Sequence, residues 1–173
     1  LPAEYLNNAN SDNLKKFPVL YMLDGQNVWD HKNLPWQGWK VESSMERLVQ
    51  EGKIQSAIVV GISNNRNRTK EYAGWCDELP DGDVVTDSAE FKRYANEHRL
   101  MIVEEIIPFI EANFNVIQDR SGRVIAGSSY GAFCSAYFAA SNPEVFSGAG
   151  LFSGGSTGFE QIIATDGFNF SSD

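Results

Sequence analysis

Apolar positions along this chain fall into alternating strand-like and helix-like rhythms. Residues 17–23 (F-P-V-L-Y-M-L) form a continuous apolar run closed by Asp24-Gly25, the pattern of a strand buried on both faces of a parallel sheet. Val41–Gln50 sets Val41, Met45, Leu48 and Val49 on one helical face and stops at Gly52. Residues 57–62 (A-I-V-V-G-I) predict a second buried strand. Residues 63–86 are polar and aperiodic, which predicts a long loop holding Trp75 and Cys76; loops of that length are uncommon unless functional. Asp87-Ser88-Ala89-Glu90 reads as a capping box, with Asp87 as N-cap and Glu90 three residues on. It opens a helix to about Asn113, along which Phe91, Tyr94, Ala95, Met101, Ile102, Ile106 and Ile110 recur at helical spacing. Pro108 should kink or divide that helix. Residues 146–152 predict a further strand, and 156–173 are polar without a strong pattern. Strands alternating with helices imply an α/β fold, a mostly parallel sheet with helices on both faces.

Gly127-Ser128-Ser129-Tyr130-Gly131 reads G-x-S-x-G and sits between two such elements. Residues 123–126 (R-V-I-A) are a β-branched run fit for a buried strand, and 132–142 are small, apolar and closed by Pro143, as suits a helix packed on a sheet. A strand turning sharply into a helix through glycines is the geometry of a nucleophile elbow, which lifts a serine Oγ clear of the sheet. The glycines let strand and helix approach without a Cβ clash. Of the two adjacent serines, only Ser129 has glycine at both −2 and +2, so Ser129 is the candidate nucleophile and Ser128 the variable residue. The pentapeptide by itself also fits a glycine-rich turn without chemistry.

A serine hydroxyl needs a base, and the chain's 2 histidines, His31 and His98, both precede Ser129. In this fold the order is nucleophile, acid, histidine. The expectation is therefore that the triad acid and histidine are not in this chain. Either it is a fragment or it is not a self-sufficient hydrolase. His31 borders the loop after the first strand, on the wrong loop for the base. His98 reads as a partly exposed helical residue. Asp166 and Asp173 follow Ser129 but have no later histidine to orient, and read as solvated residues.

At 173 residues, with 42% hydrophobic and 21% charged residues, the sequence suits one globular domain. Its formal charge of −9 argues against nucleic-acid or anionic-membrane partners, which need basic surface. The chain opens Leu1-Pro2-Ala3-Glu4-Tyr5, without an initiator Met or a basic n-region, and looks processed or cut. The 2 cysteines make no metal pattern: Cys134 reads as a small buried residue of the helix after the elbow, and a disulfide to Cys76 is disfavoured. No cofactor or metal is expected.

Taken together, these motifs resemble the putative-esterase family of α/β-hydrolases, which includes esterase D-like, ferric-siderophore, feruloyl and acetylxylan esterases. Residues 17–27 (F-P-V-L-Y-M-L-D-G-Q-N) resemble that family's strand leading into the oxyanion loop. Trp39-Lys40-Val41-Glu42 is similar to the start of its first helix. Residues 58–62 followed by Arg68 and Glu71-Tyr72 resemble the next strand and its substrate-side loop, and 105–110 the helix before the elbow. Residues 142–146 and 151–153 resemble the segment after the elbow helix. Leu1 to Tyr5 looks like the phrase ending an early strand. The resemblance implies a single α/β-hydrolase domain over 1–173, its N-terminal and central part, lacking C-terminal strands and the acid/histidine region. Tyr130-Gly131-Ala132 departs mildly from the methionine and two glycines that often follow the family's serine, and puts bulk beside the nucleophile.

The resemblance implies a serine-dependent carboxylic-ester hydrolase in which Ser129 attacks the ester carbonyl and forms an acyl-enzyme. Two donors are needed for the oxyanion. One is the backbone N–H of Tyr130. The other, by resemblance, is that of Gln26, in the loop Asp24-Gly25-Gln26-Asn27, where Asp24 fixes the loop rather than serving as the acid. A tight strand-end turn is the alternative reading of that loop. Asn27, Trp39, Tyr72 and Trp75, with Trp29 and Trp36, are candidate substrate-pocket residues, although aromatics are also ordinary core material. The expected partner is a small-molecule ester: acyl, feruloyl or acetyl-sugar, or siderophore. A catalytically incomplete binding module, or one chain of a split enzyme completed by a C-terminal segment or an oligomer, are the alternatives.

Overall fold

Among the described residues, four parallel strands form the centre of the fold: β1 (Val19–Leu23), β2 (Ile58–Ile62), β3 (Arg123–Ser128) and β4 (Gly148–Phe152). They lie side by side in the order β2-β1-β3-β4. The computed structural model describes residues 1–8, 15–30, 38–76, 79 and 87–154. Around the sheet are α1 (Ala3–Asn8), α2 (Val41–Gln50), α3 (Arg68–Ala73), α4 (Ser88–Leu100), α5 (Ile107–Asn113) and α6 (Tyr130–Ser141). No helix among the described residues is long and apolar enough to cross a membrane.

The register explains the apolar runs. Val19 lies level with Ile58 and Arg123, and Met22 with Gly61 and Ala126. Val19, Tyr21 and Leu23 enter the larger core with Ile58, Ile62, Ile125, Cys134 and Phe138. Met22 enters a smaller core on the other face with Val28 and Ala126, against which Leu20, Trp29, Trp39 and Val41 pack. A strand with both faces covered shows no alternation, so 17–23 reads as continuously apolar. The crossovers put α2 on one face as the chain steps from β1 to β2. They put α4, α5 and α6 on the other face as it steps back across to β3 and β4.

Several expectations are altered in detail. β1 starts at Val19, because Pro18 has no N–H for the ladder, though its carbonyl accepts from Ile58 N–H at 2.9 Å. Phe17 makes only an isolated bridge to Val116. The loop expected over 63–86 contains α3, a helix without an apolar stripe of its own that is held by tertiary contacts: Tyr72 and Ala73 are buried. The opening residues form the helix α1 rather than a strand end; Tyr5 packs edge-on against Phe17 at 5.4 Å between centroids and accepts a hydrogen bond from Asn115 N–H.

The 87–113 helix begins as expected, with Asp87 accepting from Glu90 N–H at 2.9 Å. It then passes through a π-helical segment, Met101–Ile106, before α5. Pro108 sits in the first turn of α5, where a missing N–H costs least, and the widened turn directly precedes it. At the end of α2, Gly52 (φ +66°) forms a Schellman cap: Gly52 N–H donates to Val49 and Lys53 N–H to Leu48. No α2 residue is fully buried, although Val41, Met45, Leu48 and Val49 are each half-buried as the pattern suggests.

Candidate active site

The strand order places a topological switch between β1 and β3: β1 connects to one side of the sheet and β3 begins the other. In open α/β sheets the crevice beyond the carboxyl ends of such strands is the usual ligand position. Two turns meet there. Leaving β1, the chain enters a 3-10 turn, Gly25–Asn27. Leaving β3, it passes through Ser129 directly into α6.

Ser129, not Ser128, takes the strained conformation, with φ 56° and ψ −125°. Such a backbone costs about 1–3 kcal/mol in a non-glycine residue and persists only where its surroundings enforce it. Three features enforce it here. Ser129 N–H donates to Phe152 O of β4 at 2.9 Å, its carbonyl accepts from Ala132 N–H at 2.9 Å, and Gly127 lets β3 touch α6. A Cβ on Gly127 would stand 2.4 Å from the Gly131 carbonyl oxygen. Ser129 is exposed and Gly127 and Gly131 are buried, so the serine is presented outward from a packed turn. Tyr130 is the first residue of α6, at the positive end of the helix dipole.

The 3-10 turn is fixed through Asp24, which is 2% exposed and left-handed at φ 58°. Its N–H donates to Tyr72 Oη at 3.2 Å. Its carboxylate receives a two-pronged hydrogen bond from Arg68, Nε to Oδ1 and Nη2 to Oδ2, both 2.7 Å, and another from Asn64 Nδ2 at 2.5 Å. Asn64 N–H also donates to Gln26 Oε1 at 3.2 Å. The Asp24 pairing holds the Arg68 guanidinium protonated to still higher pH. Burial, then the Asp24 charge, raise the Tyr72 phenol. Asp24 thus fixes the loop. Gln26 and Asn27 are half-buried beside it, and Asn27 carbonyl accepts from Trp39 N–H at 2.7 Å.

The candidate aromatic wall does not form one surface. Trp29 and Trp39 pack on the smaller core, on the α2 face. Tyr72 is fully buried under the elbow on the opposite face, as core rather than wall. Trp75, on that same opposite face, stacks on Tyr137 of α6 at 4.1 Å and 7°. Trp36 lies outside the described residues. A groove of about 320 Å³ between α2, β2 and residues 1–4, lined by Trp29, Glu42, Met45 and Val59 among others, lies on the β2 side, away from the β3–α6 turn.

His98 corrects the expectation of a partly exposed residue: it is buried, 5% exposed, because α3 covers α4. Its ring stacks on Tyr72 at 5.3 Å and its Nδ1 lies 4.0 Å from Cys134 Sγ. Burial lowers its pKa to about 4 against the opposing pull of a hydrogen bond to the Glu71 backbone. Burial likewise pushes the Cys134 thiol up. Cys76 and Cys134 are both buried and form no disulfide with each other. His31, Asp166 and Asp173 lie outside the described residues. Among the described residues no three His, Cys, Asp or Glu side chains gather as metal ligands.

The reading of 63–86 as loop hid Asn64 and the Arg68–Asp24 pair. Arg68 stood out only through its resemblance to a family motif, and a contact between positions 44 apart leaves no local signal.

A parallel sheet covered on both faces, with a serine on a strained strand-to-helix turn, is the architecture of the α/β-hydrolases. Within that class, the chain belongs to the family described as "Putative esterase", whose sequence profile matches residues 1–163. It is 30% identical over 153 residues to the endo-1,4-beta-xylanase/feruloyl esterase of Xylanibacter ruminicola, covering 86% of this chain and 18% of that one. A solved ferulic acid esterase is 27% identical with a TM-score of 0.58, covering 86% of this chain and 50% of the other. The CE1 ferulic acid esterase of Anaeromyces mucronatus, at 20% identity, shares the fold with a TM-score of 0.57 over 83% of this chain and 49% of that one. The chain thus spans about half the length of these solved esterases.

Proposed function

We propose that this chain carries the nucleophile and oxyanion half of a serine-dependent carboxylic-ester hydrolase. The observation that carries the reading is the strained backbone of Ser129, φ 56° and ψ −125°, at the serine of the G-x-S-x-G turn between β3 and α6. Family membership supports ester hydrolysis, and the feruloyl esterases among the similar proteins favour an aryl or sugar ester as substrate. In the reaction Ser129 Oγ attacks the ester carbonyl, the alcohol leaves, and water releases the acid from the acyl-enzyme. The N–H groups of Gln26 and Tyr130 stabilise the developing oxyanion. The acid and the base come from outside the described residues, either from further chain or from a partner.

A second reading, one chain of a split enzyme, draws on the outermost strand: Leu151 and Phe152 of β4 are 44% and 55% exposed, as on a sheet that another segment extends. The test uses residues 1–173 alone and the protein with its downstream or partner segment, assayed on para-nitrophenyl, feruloyl and acetyl-sugar esters. Ser129→Ala should abolish hydrolysis and Ser128→Ala leave most of it, with a fluorophosphonate labelling Ser129 only. The 1–173 chain alone should fall at least about a thousandfold below the completed protein, because a missing triad member leaves only residual catalysis. Full activity of the Ser129→Ala protein would overturn the proposal.

A further inference from the structure

Arg68 reaches three parts of the candidate site from a single side chain. Its guanidinium grips both carboxylate oxygens of Asp24 at 2.7 Å. The same Nη2 points to the carbonyl of Ser128, the residue before the candidate nucleophile, at 3.5 Å. Its plane lies 4.9 Å over the Tyr72 ring and 5.8 Å from that of Tyr130. Asp24 in turn abuts the elbow, since a Cβ built on Gly131 would come 3.2 Å from Asp24 Oδ2. The Asp24 side chain is 3% exposed and that of Arg68 29%, so the pair is shielded from competing water over most of its surface.

We infer that Arg68 is a positioning residue that locks the Gly25–Asn27 turn and the Ser129 turn into one register, through Asp24 on one side and the Ser128 carbonyl on the other. This rests on the esterase reading of the elbow. The two oxyanion donors, Gln26 and Tyr130, belong to turns separated by about a hundred residues of chain, and their spacing must be right to a fraction of an ångström for catalysis. Both turns carry a non-glycine residue at positive φ, Asp24 and Ser129, which left alone would relax. Arg68 also neutralises Asp24. A lone carboxylate beside the elbow would oppose the negative charge that develops on the attacked carbonyl oxygen. Lysine cannot reproduce this, because an ammonium grips one point where the guanidinium fork grips two.

The experiment compares wild type, Arg68→Met, Arg68→Lys and a surface control, Arg93→Met, whose partner Glu97 is solvent-exposed. In the protein completed for turnover, rates are normalised to fluorophosphonate-titrated sites, so loss of folded protein does not count. Arg68→Met should lower kcat per titrated site about 100-fold, the cost of misplacing one oxyanion donor, with KM within about threefold. Affinity for a boronic acid, which forms a tetrahedral adduct on the serine, should fall by the same factor as kcat/KM. Arg68→Lys should fall between the two, and it serves if the Met variant does not fold. In the 1–173 chain, the amide resonances of Gln26 and Gly131 should shift together in either Arg68 variant and stay in place in Arg93→Met. Rates per site within threefold of wild type, a loss carried by KM alone, or shifts confined to α3 would overturn the inference. If Ser129→Ala leaves turnover intact, the esterase reading fails instead, and the paired amide shifts alone decide whether Arg68 joins the two turns.

Discussion

The two ends of β3 each hold a shielded arginine–carboxylate pair, and they serve different ends. At the start of the strand, Arg123 Nε donates to Glu111 of α5 at 2.7 Å, while its other nitrogens reach the carbonyls of Val145 and Gln118. Arg123 and Glu111 both lie on regular backbone, extended and helical, so this pair staples a helix and two loops to the sheet. At the far end, Arg68 holds Asp24, a residue with positive φ, beside Ser129, a second one. The same chemistry joins relaxed elements at one end and restrains strained ones at the other. Stability is expected to depend most on the first pair and reactivity on the second.

The comparison is most easily broken at the glycines. Gly127→Ala at the elbow end drives a methyl to 2.4 Å from the Gly131 carbonyl, where only backbone can yield; a loss of about 3 kcal/mol is expected by denaturant unfolding, with fluorophosphonate labelling lost in the folded fraction. Next comes the staple. Arg123→Met should cost about 2 kcal/mol, since it leaves Glu111, 19% exposed, without its guanidinium, while kcat per titrated site stays within twofold. A large rate loss there, matching that of Arg68→Met, would erase the distinction between the two ends.

A third test uses pH. His98 is held neutral in the fold with a pKa of about 4, whereas in the unfolded chain it titrates near 6.5. Below pH 6.5 the unfolded state therefore takes up a proton that the folded state refuses until about pH 4, and stability falls as pH drops through that window. From pH 8 to pH 5 the His98 contribution should be a loss of about 2 kcal/mol. It is read as the difference in urea midpoints between wild type and His98→Leu. His98 lies under the elbow end, so acid should loosen the Tyr72 and Asp24 region first. The smallest effect is expected at Gly148, level with Val124 near the staple end, where a Cβ would meet nothing within 4 Å. Gly148→Ala should change stability by no more than about 0.5 kcal/mol.

What the sequence disclosed follows the same division. Although β2, read as a second buried strand, is only partly covered, the strand β1 buried on both faces, the Asp87 cap, the Gly52 stop and the turn at Ser129 were legible because each is a local pattern with a local cause. The α3 helix was not, because its six residues carry no stripe and owe their shape to the packing of Tyr72 and Ala73. His98 read as exposed for the same reason: what covers it is α3. The aromatic residues could be counted but not assigned to faces, since that requires the strand register. Arg68 stood out only by likeness, its partner lying 44 positions away.

The hydrogen bond from Ser129 N–H to Phe152 O makes the elbow a tenant of the outermost described strand. Opening β4 exposes the amide of the candidate nucleophile to deuterium, so the protection of that one proton is a clock for how often β4 lifts away. Anything that settles against Leu151 and Phe152 slows that clock. The candidate nucleophile thus carries, in its own backbone, a record of whether the sheet beside it is closed.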